Sequence, residues 1–490
     1  MSSRGLTTRV ASAARLVLGL PLLLAAAEDT PIPWPSGEAP TDAALDAWVL
    51  GATEKASLDR WEAFLEAVEP GESSESLRII QSEIDSGLYG LGDLAVLFRW
   101  GDGLFEHTFQ LADGFGDRDR DRLTRVHDGE RGGLDTYSCA GCHSASGPNG
   151  SGLETAHAFV HGDGVRLSSA NVRSAPSLLG VGLVQALAAE MTRSLSALRD
   201  TAMSDAASTG QAVRTALVAK GVSFGAITAS PDGHVDTSEV AGVDPDLVVK
   251  PFGWKGDVSR LRRFAENAAR IHFGIQSQVL VATTDPARLG DGPLWFDPDD
   301  DGVFHELTEG SLTAVAVYLT LLEAPVMLPP HDPGLRERWA RGSATFDAIG
   351  CGSCHRRSLT LESTYWREAP DTTGAEPVLV NLLSDGEAPR STAIVGLFSD
   401  LRRHDLGPGL ADPHGDAASH FLTRPLWGLA DTAPYLHDGR AATIPDAIAA
   451  HGGEAAGPRD AFLALPHDAQ VDLHVFLLSF TRAPKPRIAP

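Results

Sequence analysis

Two five-residue boxes use every cysteine of this chain: Cys139-Ala140-Gly141-Cys142-His143 and Cys351-Gly352-Ser353-Cys354-His355. Thiols three positions apart reach the two vinyl groups of one porphyrin, and the next residue places an imidazole under the iron. The competing readings are a zinc half-site, a redox dithiol and a structural disulfide. Zinc would need further Cys or His ligands at matched spacing, and a redox dithiol carries no obligatory histidine after its second thiol. Two copies with no cysteine left over are read as attachment sites for two covalently bound haem c groups, with His143 and His355 as iron ligands.

Arg4, Arg9 and Arg15 precede the apolar run Leu16 to Ala27, which ends in Ala25-Ala26-Ala27 before the first acid, Glu28. That order predicts a signal peptide over 1–27, too short to span a bilayer, with an uncleaved anchor as the alternative. No later stretch is long and apolar enough to span, so the expected location is periplasmic or otherwise exported. The chain has 490 residues and a formal charge of −25, which argues against nucleic acid and anionic membrane as partners. It suits a small cationic or dipolar redox protein as electron donor or acceptor, or simply keeps an exported protein soluble.

Each box is followed by the same series of signals, so the chain reads as a duplication. Arg173-Ser174-Ala175-Pro176-Ser177-Leu178-Leu179-Gly180 follows the first box, and Arg424-Pro425-Leu426-Trp427-Gly428 follows the second. Phe252-Gly253-Trp254-Lys255-Gly256 leads to Leu261 and a helix, as Tyr435-Leu436-His437-Asp438-Gly439-Arg440 leads to Ile444 and a helix. Both halves then close on an amphipathic helix and Ala-Pro, at Ala324-Pro325 and Ala483-Pro484. Pro325, Pro329, Pro330 and Pro333 mark a linker, after which Gly342 to Ile349 predicts an opening helix with Phe346 on the haem side. Leu58, Trp61, Phe64, Leu65 and Val68 recur at helical spacing in a region ahead of the repeat. The expected fold is mainly α. Two cytochrome c-type domains stand in tandem with long loops, at 106–325 and 335–490. A linker at 326–334 joins them, and an N-terminal helical extension at 28–105 precedes them.

The blocks HDLGPGLAD (404–412), RPLWGL (424–429), YLHDGRAATIPDAIAAHGGEA (435–455) and PFGWKG (251–256) resemble those of the bacterial dihaem oxidoreductases. That family is related to dihaem cytochrome c peroxidase and to the dihaem enzyme that matures tryptophan tryptophylquinone. The resemblance implies two facing cytochrome c domains, one haem doing chemistry while the other relays electrons.

It also locates the sixth iron ligands. In relatives the second haem's sixth ligand lies on the helix after the HDG motif, and the residue equivalent to it here is His451. Cytochrome c peroxidases place Met there and the quinone-maturing enzyme Tyr. A helix C-cap histidine is the alternative, and His/His ligation would give a lower potential than His/Met. The same step in the first half, from Trp254, ends at Ala268, which cannot ligate iron, so haem 1 becomes the candidate reaction centre. His272 and Gln276 fall beyond Ala268 near the expected distal pocket. There the peroxidases carry a catalytic glutamate; this chain has no acid on that face, Glu266 preceding the position. His157 and His161 either cap haem 1 at rest or belong to a solvated loop. Leu406 excludes methionine ligation from the HDLG loop, and His404 and His437 are assigned to haem contact. Arg173, Arg424 and Arg440 are candidate propionate partners, since a guanidinium pairs a carboxylate in bidentate fashion. Trp254 resembles the tryptophan between the haems of relatives and is otherwise a core residue. Asp297, Asp299 and Asp301 begin a calcium-loop pattern with Thr308 where glutamate belongs, leaving calcium or an acidic turn. Three functions stand: a dihaem oxidoreductase of peroxidase type acting on peroxide, a dihaem electron carrier, and a maturation enzyme oxidising a protein substrate.

Overall fold

The computed structural model describes residues 79–88, 91–110, 113–114, 126–127, 136, 138–143, 157–160, 170–279, 306–371, 374–382, 392–415 and 417–484. The expected signal peptide, most of the expected extension, His161, the side chain of His157 and the segment with Asp297, Asp299 and Asp301 lie outside them. Among the described residues no helix is long and apolar enough to cross a membrane. The described residues fall in one compact unit. The described chain is mainly helical, with sheet confined to sets of two or three short strands.

Two glycine-marked helix crossings carry the core. Helix Leu94–Glu106 is capped by Asp93, whose carboxylate accepts the Ala95 N–H at 2.7 Å. It crosses helix Glu309–Leu321 at Gly101, where a Cβ would come within 2.3 Å of the Ala314 carbonyl oxygen. Phe98 and Phe105 pack on Tyr318 there, at 4.9 and 5.1 Å between ring centroids. The second half repeats the device. Helix Pro333–Ala348 crosses helix His467–Leu477, and a Cβ on Gly342 would fall 2.0 Å from the Asp472 carbonyl oxygen. Around that crossing Trp339, Phe346, Phe398, Phe476 and Phe480 form an aromatic core. The helix begins at Pro333 rather than near Gly342, because proline in a first turn lacks only an N–H that no helical carbonyl would accept. Helix Leu94–Glu106, placed by sequence in the extension, supplies the matching member of the first pair.

The repeated blocks fold alike. Phe252 bridges Val258 and Tyr435 bridges Ala441, so each block is a tight turn holding Trp254 or His437 at the same place. Gly253 and Gly256 have φ of 79° and 67°, and their counterparts Leu436 and Gly439 have 74° and 71°. Leu436 therefore holds a left-handed conformation that costs a non-glycine residue about 1–2 kcal/mol, which the turn imposes. The two Ala-Pro ends meet: strands Pro325–Met327 and Phe480–Pro484 run antiparallel with Pro325 opposite Pro484.

One large difference separates the halves. From Gly428 the second half reaches Tyr435 through a single turn, Leu429–Asp431. From Gly180 the first half inserts helix Val181–Thr209 and a three-stranded sheet of Val213–Ala219, Val222–Ala229 and Val235–Asp236. The insert docks on the second half through buried Glu190. Its carboxylate accepts the N–H groups of Glu362 and Ser363 at 3.0 and 3.1 Å and pairs with Lys220 at 2.6 Å.

Candidate functional site

Each box lines a cavity of its own. Cys139, Cys142 and His143 open on a space of about 420 Å³, walled by Phe105, Phe252, Phe264 and Phe273 among others. Cys351, Cys354 and His355 open on one of about 310 Å³, walled by Phe346, Leu426, Ile444 and Leu473 among others. The box backbones match: the N–H of His143 bonds the Cys139 carbonyl and that of His355 the Cys351 carbonyl, both at 3.0 Å. No disulfide joins the four cysteines. Burial pushes the Cys139 thiol up to about 12 and the Cys351 thiol up to about 11, keeping both protonated.

The histidines are oriented the same way. Nδ1 of His143 lies 3.0 Å from the Pro176 carbonyl oxygen, and Nδ1 of His355 lies 3.0 Å from that of Phe398. A carbonyl only accepts, so Nδ1 carries the proton and Nε2 keeps its lone pair. Burial lowers both rings to about 4, leaving them neutral, the form that binds iron. An apolar space, two thiols and an imidazole with a spare Nε2 fit a haem in each cavity.

His451 ends helix Ile444–Ala450 and lines the second cavity with His355. Its Nδ1 donates to the Ala447 carbonyl at 2.7 Å, again sparing Nε2. The C-cap bond and iron ligation thus use different nitrogens and are compatible. In the first half, helix Leu261–Ala268 runs on into a π turn, Ala269–Phe273, and both Ala268 and His272 line the first cavity. After burial and the Pro176 hydrogen bond, proximity of His272 is the next influence on His143, as proximity of His451 is on His355. Gln276 is buried but lines neither cavity. Glu266 is turned away onto Arg263 and Ser277.

Trp254 and Arg424 line both cavities, together with Ser174, Ala175 and Pro176. The wall is tied across the halves. Trp254 Nε1 donates to the Ser174 carbonyl at 2.9 Å, and the Ser174 N–H donates to the His437 carbonyl at 2.7 Å. His437 stacks on Phe421 at 4.3 Å and presents its edge to Trp254 at 6.5 Å. The Arg424 guanidinium stands 5.6 Å over the Trp254 ring, and burial lowers its pKa to about 10. Among the arginines expected to meet propionates, Arg424 is the one placed between the cavities. Arg173 lines the first cavity, but its fork is held by Asp412 at 2.8 and 2.6 Å. Arg440 lines neither and bonds Asp438 and the Gly409 carbonyl, each at 2.6 Å.

Asp412 also takes Lys255 at 3.0 Å and faces His437 Nε2 at 3.4 Å. Burial would raise this carboxyl; Arg173 and Lys255 outweigh that and hold it below the usual carboxylate range. Asp412→Asn is expected to lower the unfolding free energy by about 3 kcal/mol, since two half-buried cations lose their counter-charge. Denaturant titration checks it, and a loss under about 1 kcal/mol would class the cluster with surface pairs.

His404 lines the second cavity and has carboxylates on both nitrogens: Glu454 on Nδ1 at 2.8 Å and Asp400 on Nε2 at 2.9 Å. Burial opposes its charge, yet the Asp400 bond prevails and raises its pKa to about 10. Cys354 Sγ, Asp400 and His404 converge within 4.8 Å of one another. That is not a second metal centre, because both His404 nitrogens are already spent as donors.

The sequence did not point to His107, Asp113, Asp257 or Glu306, all of which line the first cavity. His107 bonds Asp113 at 2.9 Å. Asp257, three residues past Trp254 in a repeated block, opens on the cavity. Burial on its other sides raises its pKa, against the pull of Arg173, Arg403 and Lys255. Its place in that block was the one available signal.

Taken together, the paired cavities and boxes fit two haem groups. Residues 327–480, a segment that holds the second box, His404, His437 and His451, match the model of the family described as "Di-haem oxidoreductase, putative peroxidase". No curated protein matches the chain. Among solved structures, a hydrazine synthase of Kuenenia stuttgartiensis is similar at 16% identity and TM-score 0.34, over 94% of this chain and 100% of that one. A MauG-like protein associated with microbial copper homeostasis is similar at 17% and 0.24, over 46% of this chain and 68% of that one. Likenesses at this level carry no conclusion about activity.

Proposed function

We propose that the chain is an exported oxidoreductase of two cytochrome c-like halves, with covalent haem c in each cavity and a reactive site at the first. The observation that carries this is the asymmetry of the repeat: the helix after each tight turn delivers His451 to the second cavity and Ala268 to the first. Haem supplies redox storage in both cavities and, where a coordination position stays open, a place for an oxidant such as peroxide.

The protein's own groups divide the remaining work. The Pro176 and Phe398 carbonyls orient the His143 and His355 imidazoles, which would hold the irons. His355 and His451 would both hold the second haem, which would suit that site to exchanging electrons with a small redox protein. Trp254 fills the wall between the sites and shortens the path across it. Asp257 and His272, with His107, Asp113 and Glu306 on the same cavity, are titratable groups able to hold and move a proton there, in place of the helix-borne glutamate of related peroxidases. Arg424 provides a buried cation for a propionate.

The rival reading, an electron carrier with both irons six-coordinate, is favoured by one observation: His272 shares the first cavity with His143. His451→Ala tests the assignment of the closed site. Electron paramagnetic resonance of the ferric protein should show haem 2 pass from low-spin to high-spin, with haem 1 unaltered. An unchanged haem 2 signal would leave His451 as a cap alone.

A further inference from the structure

We propose that Asp400, His404 and Glu454 form a positioning lock that holds His451 in place and so decides whether the second haem site is closed. The inference rests on His451 being the sixth ligand.

Helix Ile444–Ala450 is a weak support for a ligand. It spans seven residues, and Ile444 is its one buried side chain. Something outside the helix must therefore fix its C-terminal end. Immediately after His451 the chain runs through Gly452 and Gly453 directly onto residues 405–407. A Cβ on Gly453 would lie 2.2 Å from the Asp405 carbonyl oxygen, and one on Gly452 would lie 2.7 Å from that of Leu406. This backbone-on-backbone contact admits no side chain, and Glu454 secures it. One Glu454 oxygen accepts the Asp405 N–H at 2.9 Å; the other takes His404 Nδ1 at 2.8 Å. Asp400 anchors the far nitrogen of the same ring at 2.9 Å. Arg459 adds a bond to the His451 carbonyl at 2.9 Å.

The position of His404 gives the lock its reach. Its Nδ1 also lies 3.9 Å from Cys354 Sγ, the residue next to His355. One imidazole thus touches the segment carrying the fifth ligand and, through Glu454, the segment carrying the sixth. With both nitrogens donating to carboxylates, His404 is not itself an iron ligand, which leaves positioning as its role. Release of Glu454 would leave the end of a seven-residue helix held by the Arg459 bond and the Gly452–Gly453 contact without its charged anchor. Local opening of such an element is the cheapest motion available near the site.

Glu454→Gln and His404→Gln, each in the haem-loaded full chain, test the idea. Glu454→Gln keeps an acceptor for the Asp405 N–H and removes the charge facing His404. Carbon monoxide should bind ferrous haem 2 about tenfold more tightly than in the parent, the scale of one lost charge-assisted hydrogen bond. A high-spin fraction should appear at haem 2 alone, haem 1 serving as the internal control for folding. The two substitutions together should have no more effect than His404→Gln alone, because both break the His404–Glu454 bond. Glu454→Asp should restore part of the low-spin signal. If His404→Gln fails to incorporate haem, Glu454→Gln decides, since Glu454 is half exposed. Unchanged carbon monoxide affinity and spin state in Glu454→Gln, beside a clear response in His451→Ala, would overturn the lock and leave the ligand standing. No response in His451→Ala would remove both.

Discussion

Replacing Cys139 and Cys142 together by alanine should lower covalently bound haem from two per chain to one, and replacing Cys351 and Cys354 should do the same. Each pair opens on a different cavity, and the chain has no other cysteine to take over. The remaining haem should carry the spectrum of the untouched site. Denatured protein assayed as its pyridine adduct counts what is covalently attached, and acid acetone should extract nothing from the parent. Two residual covalent haems in either double variant, or a parent with one, would refute the attachment reading. Loss should also be structural, because each cavity is walled by core aromatic and aliphatic side chains that a porphyrin would keep from water. The affected half should unfold at lower denaturant while the other box retains its haem.

What sequence revealed and what it hid follow from range. The boxes and the paired blocks were legible because each is written within a few dozen consecutive residues, and the family resemblance pointed to His451, which lines the second cavity. The tight turns around Trp254 and His437 repeat even in their left-handed positions, so spacing alone aligned them. Contacts between distant segments left no such trace. Arg173 was assigned to a propionate on its residue type, whereas its fork is filled by Asp412, 239 positions away. Arg440 was assigned likewise, but its own neighbour Asp438 engages it. The matched helix crossings at Gly101 and Gly342 stand at different distances from their boxes, which hid the first helix in the extension. Neither the π turn at Ala269–Phe273 nor the insert after Gly180 follows from hydrophobic period, since both depend on what they pack against.

The choice between enzyme and carrier turns on the first cavity. Carbon monoxide or cyanide should bind one haem per chain in at least one redox state, and that haem should be the one held by His143. The second should resist, because His451, pinned by Ala447, Arg459 and the Gly452–Gly453 contact, competes at high effective concentration. The first cavity presents Ala268 at the matching place, and His272, carried by the π turn that follows, lines the same cavity. Binding that saturates at one ligand, and that disappears in the Cys139/Cys142 double variant, would establish the open site. Failure of both haems to bind would point to His272 as a cap. In that case His272→Ala should open the first site in the ferric and ferrous protein, and the electron-carrier reading would replace the enzyme. Ligand binding at the second haem of the parent would contradict the asymmetry itself, and with it the division of labour between the two halves.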